Sequence, residues 1–525
     1  MKYYNTTAII SILVLLLTSS LLRAELDDRP NILFISTDQQ RFDTIASLGN
    51  NEIYTPNLDR LVERGVAMTR AYSESPVCVP ARYVMRTGRV PLNTAYFQNV
   101  TAHVPEELPQ NLEERCGPYL AKVMASHGYR TFGIGKFHTQ YPDTDIGYDV
   151  YLRGEEFRAP DDAYTEYLKQ FPEYEFIEQY HGERTEMYYE PQMSPLPAEL
   201  TIERWCADRA VEQINVSRDK PYFGFVSFIG PHPPLAPPIP YNRMYDPDQM
   251  RDPVFGPEEI DFMDERVKWN LYFVFAEEMS NPEVRKLRAR YYGEITYIDN
   301  CVGRILDAVE ASPDADNTII CFFSDHGEFL YDHRAVQKEN FFEESTKIPM
   351  LISWPKKLKG NTKSDTLMGL ADLFGIATTA SGNQELRDGV DILGIIQGEA
   401  KPRKYYFGYT SAPGDLNFRM MAIRDEWKYI FHANSGGELL FNLNKDPREH
   451  KNLITEEKAI ADELRNACLK DLDHPVGRAA LNGDWFKVFP RTPLKLERVY
   501  QFNESLESRG FPKKAEDALK LKIAQ

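Results

Sequence analysis

Four apolar runs, each breaking off into an unusual polar cluster, constrain this chain more than any other feature. Asn31-Ile32-Leu33-Phe34-Ile35 passes into Ser36-Thr37-Asp38-Gln39-Gln40-Arg41, and Thr131-Phe132-Gly133-Ile134 into Gly135-Lys136-Phe137-His138. Residues 222–228 run into Gly230-Pro231-His232-Pro233, and residues 318–323 into Ser324-Asp325-His326-Gly327-Glu328. Runs without polar alternation predict strands covered on both faces, commonly in parallel sheets. Helical patterns alternate with them at 56–63, at 119–127 before Gly128, at 202–214 and at 284–309. The last carries Tyr291, Ile295, Ile298, Val302 and Ile305 at helical spacing. Strand and helix in alternation predict an open α/β fold, a large mostly parallel sheet sandwiched by helices. Ligands of such sheets sit beyond the carboxyl ends of the strands, so the four polar clusters are expected to share one site.

A chain of 525 residues accommodates one large domain with an appendage, or two or three domains. Residues 1–24 read as a signal peptide, with Lys2, an apolar core from Ala8 to Leu17, and a small residue for cleavage in Leu22-Arg23-Ala24. The apolar run is short for a membrane span, and no cysteine lies near the cut, so no stable membrane anchor is expected. This predicts an exported protein, periplasmic or secreted. The formal charge of −18 repels nucleic acid and excludes polyanion tracking by the whole surface. An anionic substrate then needs a local basic pocket.

The alternation is interrupted at about 140–200 and 233–282, stretches read as loops around the site mouth. Beyond residue 400, short strand patterns at 404–410, 419–424, 427–432 and 438–443 predict an antiparallel meander. The expected organisation is therefore a catalytic domain over 25–400 and a smaller C-terminal α+β subdomain with a tail over 401–525. Six cysteines (78, 116, 206, 301, 321 and 468) show no disulfide-framework spacing and no CxxC pair. Cys206, Cys301 and Cys321 fall in helix or strand patterns and read as core.

Cys78 is different. It opens Cys78-Val79-Pro80-Ala81-Arg82, followed after four residues by Thr87-Gly88-Arg89. Pro80 suits a first helical turn and Gly88 a helix end, so Cys78 is expected at a helix N-terminus, where backbone N–H groups favour negative charge. Arg82 returns to the same face one turn later. Arg86 and Arg89 read as structural partners of carboxylates within the fold. Asp38 and Gln39 at one strand end, with Asp325 and His326 at another, suit a hard divalent cation. The nitrogen donor of His326 widens the choice to Mn²⁺ or Zn²⁺.

The C-x-P-x-R frame of Cys78 with Thr87-Gly88-Arg89 resembles the signature of type I sulfatases of the alkaline phosphatase superfamily. The resemblance extends in order from about residue 30 to 453, where 441–453 resemble the family's closing segment in the C-terminal subdomain. It implies an alkaline-phosphatase-like fold in which Cys78 is oxidised to formylglycine, a change that requires a formylglycine-generating maturation enzyme. It also implies Asp38, Gln39, Asp325, His326 and the modified Cys78 as ligands of Ca²⁺, with Mn²⁺ or Mg²⁺ as alternatives. Arg82 would stabilise the aldehyde hydrate, and Lys136 and His138 would contact hydrate and sulfate. His232 would bind sulfate or protonate the leaving group, and Lys338 would bind sulfate. The implied reaction is a double displacement, with Asp325 accepting the first proton and His138 the second. Asp-Gln and Asp-His replace the best-known Asp-Asp and Asp-Asn ligand pairs, variants that occur within the superfamily in sulfatases and also in phosphonate monoester hydrolases.

The expected activity is sulfate-ester hydrolysis on a sulfated carbohydrate, from the predicted export and from loops rich in Tyr, Trp and polar groups. The alternatives are a phosphonate or phosphate-diester hydrolase on the same site, and an inactive sulfated-glycan-binding relative.

Overall fold

The computed structural model describes residues 28–496 apart from 100–101, 140–145, 157–158, 160–161, 175–176, 178, 185–187, 217–219 and 256–264. The predicted signal peptide lies outside the described residues. Eight strands form the main sheet: β1 (Asn31–Thr37), β2 (Gly65–Met68), β3 (Arg130–Gly135), β4 (Val150–Arg153), β5 (Tyr222–Ser227), β6 (Thr318–Ser324), β7 (Met350–Ser353) and β8 (Thr362–Ser364). Their spatial order is β4-β3-β5-β1-β6-β7-β2-β8. Every pairing is parallel except those of β7, which runs against both β6 and β2.

β1 shows why the apolar runs carry no polar alternation. Ile32 and Phe34 pack into one core with α2 (Cys78–Thr87), α3 (Leu120–Ser126) and α6 (Asp372–Ala380). Leu33 and Ile35 pack into a second core, on the opposite face, with α1 (Pro56–Arg64), α4 (Ile202–Ile214) and α5 (Asn281–Glu310). Successive side chains leave a strand on opposite sides, so helices on both faces require apolar residues at every position. The expected helices all form, and α5 runs three residues beyond its predicted start under a Ser280–Glu283 capping box.

The C-terminal sheet is the expected meander: β9 (Tyr406–Thr410), β10 (Arg419–Arg424), β11 (Trp427–His432) and β12 (Gly437–Asn442), paired antiparallel in order. α7 (Lys458–Asp471) covers one face, with Leu464 and Cys468 in its core. Two buried groups join this sheet to the loop that carries Lys338. The Lys428 ammonium lies 2.7 Å from Glu343 and 2.8 Å from Glu449 and donates to the Phe341 carbonyl, while Glu449 accepts from the Glu343 backbone N–H at 2.6 Å. The closing segment therefore braces a loop of the large domain.

Two expectations need correction. The 140–200 stretch is not loop alone: β4 extends the main sheet at its edge, and a short helix spans Ala163–Leu168. The 233–282 stretch likewise contains a helix, Glu265–Phe273. All six cysteines are free thiols and all are buried. Among the described residues no helix is long and apolar enough to cross a membrane.

Candidate active site

The carboxyl ends of β1, β3, β5 and β6 converge, as parallel neighbours must. Cys78 begins α2 with Val77 as its extended N-cap, and Gly88 closes the helix at φ 64°. The Cys78 side chain is fully buried, with Sγ 3.1 Å from His326 Nε2, 3.6 Å from Asp38 Oδ1 and 3.1 Å from Lys338 Nζ. Asp38, Cys78, Asp325 and His326 each offer a donor atom, all within 4.8 Å of one another and all buried.

Arg82 is the clamp of this cluster. Its guanidinium donates to Asp325 Oδ2 at 2.9 Å, Asp38 Oδ2 at 3.0 Å, the Lys136 carbonyl at 2.8 Å and Ser227 Oγ at 2.9 Å. The Lys136 ammonium lies 2.7 Å from Asp38 Oδ2 and also pairs with Glu156. Burial alone would raise the Asp38 carboxyl, but the charges of Lys136, His232, Arg82 and Lys338 outweigh it and hold it well below the usual range. Burial and the Asp38 charge together push Asp325 up, against the pull of His326 and Arg82. For the Cys78 thiol, burial and Asp38 are outweighed by Lys338, His326 and Lys136, which lower it well below its ordinary value. Two carboxylates, an imidazole and a thiolate-favouring sulfur in one buried cluster are a donor set for a divalent cation.

Backbone form brings these groups together at two glycines. At Gly135, φ is +95° and a Cβ would lie 2.0 Å from the Ser227 carbonyl oxygen, so the chain turns tightly into Lys136. At Gly327 a Cβ would lie 2.0 Å from the Glu344 oxygen, which lets Asp325-His326 close against the helical turn Glu343–Thr346.

Other predicted residues are placed as follows. Gln39 has φ 65° and turns its side-chain carbonyl to Lys338 Nζ at 2.7 Å, while its amide donates to Glu328. His232 is buried; its Nδ1 donates to the Pro233 carbonyl at 2.6 Å, with Arg184 3.2 Å away. Burial, Lys338 and Lys136 lower His232 to about 4, so its imidazole is neutral at pH 7 in this state. His138 lies two residues beyond Lys136, and its charge acts on Glu156. Its backbone is left-handed at φ 48°, its N–H is held by Glu155 at 3.0 Å, and its Nδ1 is buried without a hydrogen-bond partner among the described residues. Arg89 pairs with Asp388 at 2.7 Å, as a structural role requires, and Arg86 donates to the Phe137 carbonyl.

Several groups around the site carry no sequence pattern. Glu156 bridges Lys136 and Arg184, and Arg184 lies over the Tyr188 ring. Tyr189 donates to Glu328 at 2.5 Å. Burial pushes Glu328 up, although it accepts hydrogen bonds from the Leu330 N–H, Tyr189, Gln39 and the Gln337 N–H. The pair Tyr188-Tyr189 inside a polar insertion was the available signal for this wall.

Comparison with known proteins agrees with this arrangement. The family model described as Sulfatase matches residues 30–380, and that described as N-sulphoglucosamine sulphohydrolase, C-terminal, matches residues 329–474. An arylsulfatase of Clostridium perfringens is 27% identical over 504 residues, covering 89% of this chain and 99% of the relative. An ulvan-active sulfatase of Formosa agariphila is 27% identical over 453 residues, covering 83% and 80%. Among solved structures, a phosphonate monoester hydrolase of Agrobacterium radiobacter superposes with a TM-score of 0.68 at 22% identity, covering 84% of this chain and 94% of that one. A protein solved in complex with its substrate D-glucosamine-2-N,6-O-disulfate gives 0.64 at 17%, covering 86% and 99%. With well over half of its length matched by the family model, the chain belongs to the sulfatase family and is a sulfuric ester hydrolase.

Proposed function

We propose that this protein is exported and removes sulfate from a sulfated carbohydrate, with Cys78 acting as formylglycine beside a divalent cation, first Ca²⁺ and alternatively Mn²⁺ or Mg²⁺. The observation that carries this reading is the buried meeting of Asp38, Cys78, Asp325 and His326 under the side chains of Lys136 and Lys338. The donor set fits a divalent cation: two carboxylates supply anionic oxygens and His326 a nitrogen. Gln39 would join them by releasing its carbonyl from Lys338. A cation held there supplies Lewis-acid neutralisation of the charge on a bound sulfate. Oxidised Cys78, as its hydrate, supplies one hydroxyl to attack sulfur and a second whose deprotonation expels sulfate.

The remaining residues divide the work. Lys136 and Lys338 neutralise sulfate oxygens from two sides, and Arg82 holds Asp38 and Asp325 in place. Asp325, pushed up by burial and Asp38, takes the proton of the attacking hydroxyl. His232 has Nδ1 committed to a carbonyl, so Nε2 is the nitrogen that meets the ester oxygen and protonates the leaving alcohol. Its value of about 4 belongs to a site without sulfate, and a bound anion raises it toward neutrality. His138 serves the second proton transfer.

The carbohydrate assignment draws on the ulvan-active relative and on the structure solved with a glucosamine disulfate. Defined sulfated mono- and oligosaccharides, assayed beside 4-nitrophenyl sulfate and choline sulfate, test it. The expected result is release of sulfate from one ring position of one saccharide class with the highest kcat/KM of the panel. Preference for choline sulfate or the aryl ester over every saccharide would overturn it.

A further inference from the structure

His232 stands on a turn, Gly230-Pro231-His232, that is fastened from below by three buried residues with no place in the reaction as described. His181 Nε2 lies 2.7 Å from the His232 carbonyl oxygen and 3.2 Å from Glu294 Oε1, and His181 Nδ1 lies 3.6 Å from Glu203 Oε1. Glu203 in turn accepts from the Gly230 N–H at 3.2 Å. The carbonyl of the same glycine accepts from the Asp38 N–H at 3.3 Å. His181, Glu203 and Glu294 are 8%, 4% and 3% exposed. They come from three separate parts of the chain: the insertion after β4, the first turn of α4 and the middle of α5.

Such a cluster is costly to bury, and packing alone does not call for it. Two carboxylates flank one imidazole. Burial, with Glu203 close by, holds the Glu294 carboxyl well above the usual range. The imidazole is the link between these carboxylates and the His232 backbone. A Cβ at Gly230 would lie 2.8 Å from Glu294 Oε1, so the turn sits directly on the cluster.

We infer that His181, held between Glu203 and Glu294, is a positioning residue that fixes the His232 imidazole against the leaving-group oxygen. The inference rests on the reading of His232 as the leaving-group acid. A misplacement of about 1 Å in a catalytic group costs on the order of 10²-fold in rate, and here the loss should depend on how much help the leaving group needs. 4-Nitrophenol departs readily as an anion; unsubstituted phenol does not.

The test compares kcat/KM on phenyl sulfate and 4-nitrophenyl sulfate for the metal-loaded, Cys78-converted full chain and for His181→Ala, His181→Gln and His232→Ala. His181→Ala should lose on the order of 10²-fold on phenyl sulfate and far less on 4-nitrophenyl sulfate. Glutamine, whose amide can still donate to the His232 carbonyl, should recover most of the loss. Equal losses on both esters in His181→Ala and His181→Gln, with a selective loss in His232→Ala, would overturn the inference alone. No selectivity in His232→Ala would remove the reading of His232 and the inference with it.

Discussion

Cys78→Ser should abolish sulfate-ester turnover, by about 10³-fold or more, equivalent to about 4 kcal/mol of transition-state stabilisation. A serine hydroxyl in the same place can still approach sulfur, held at the helix N-terminus beside Lys338 and His326. It would form a sulfate ester with no second hydroxyl to expel sulfate, so one partial turnover is the most it can give. Cys78→Ala removes even that. The wild-type side chain is fully buried, which places it beyond the reach of a maturation enzyme once the chain has folded. On the proposed reading, conversion precedes closure of the cluster, and adding a formylglycine-generating enzyme to folded protein should leave the thiol unchanged. Peptide mass analysis around Cys78, read beside initial rates, checks both points. Specific activity should scale with the aldehyde fraction, and full activity in Cys78→Ser would remove the nucleophile assignment.

The second large effect falls on stability. Arg82 is almost fully buried between Asp38 and Asp325. Arg82→Met keeps much of the volume but takes the guanidinium from Asp325 and leaves Asp38 to Lys136, and breaking a buried pair in this way costs about 3–5 kcal/mol. A divalent cation takes over part of the lost charge balance. Saturation at about 100 times Kd contributes about 2.7 kcal/mol to any folded state that binds it. Chelation should thus lower the melting temperature of the wild type, and Ca²⁺ should restore it. Arg82→Met should melt lower without metal and show the larger metal-induced rise. Equal melting temperatures for variant and wild type under chelation would mean that the carboxylates do not depend on Arg82.

What the sequence discloses depends on how local the determining forces are. The strands of 31–37, 130–135, 222–227 and 318–324 are legible because helices on both faces demand unbroken apolar runs. Cys78 at a helix start is legible because Pro80 and Gly88 punctuate that helix. β2, β7 and β8 escape because three or four residues carry no period, and they become strands only by pairing with neighbours. Glu156, His181, Arg184 and Tyr189 escape for a related reason. They sit in an insertion without periodicity, and their partners lie between 20 and 139 residues away. Glu328 stands within the quoted Asp325–Glu328 cluster, yet its role as the acceptor for Gln39 and Tyr189 appears only in three dimensions.

The closing segment around Asp446-Pro447-Arg448-Glu449 resembles a family pattern, and its physical work is visible in the fold. Glu449 and Lys428 hold Glu343, and the loop so braced presents Lys338 to Cys78. The C-terminal sheet therefore supports the loop that places Lys338 beside Cys78.

Sulfate preference at the Cys78 site is the central claim, and a fold shared with a phosphonate monoester hydrolase makes the competing ester the sharpest comparison. The decisive measurement is kcat/KM of one metal-loaded, Cys78-converted preparation on 4-nitrophenyl sulfate and on 4-nitrophenyl phenylphosphonate, which share a leaving group. Faster turnover of the sulfate is the predicted result; faster turnover of the phosphonate would contradict it.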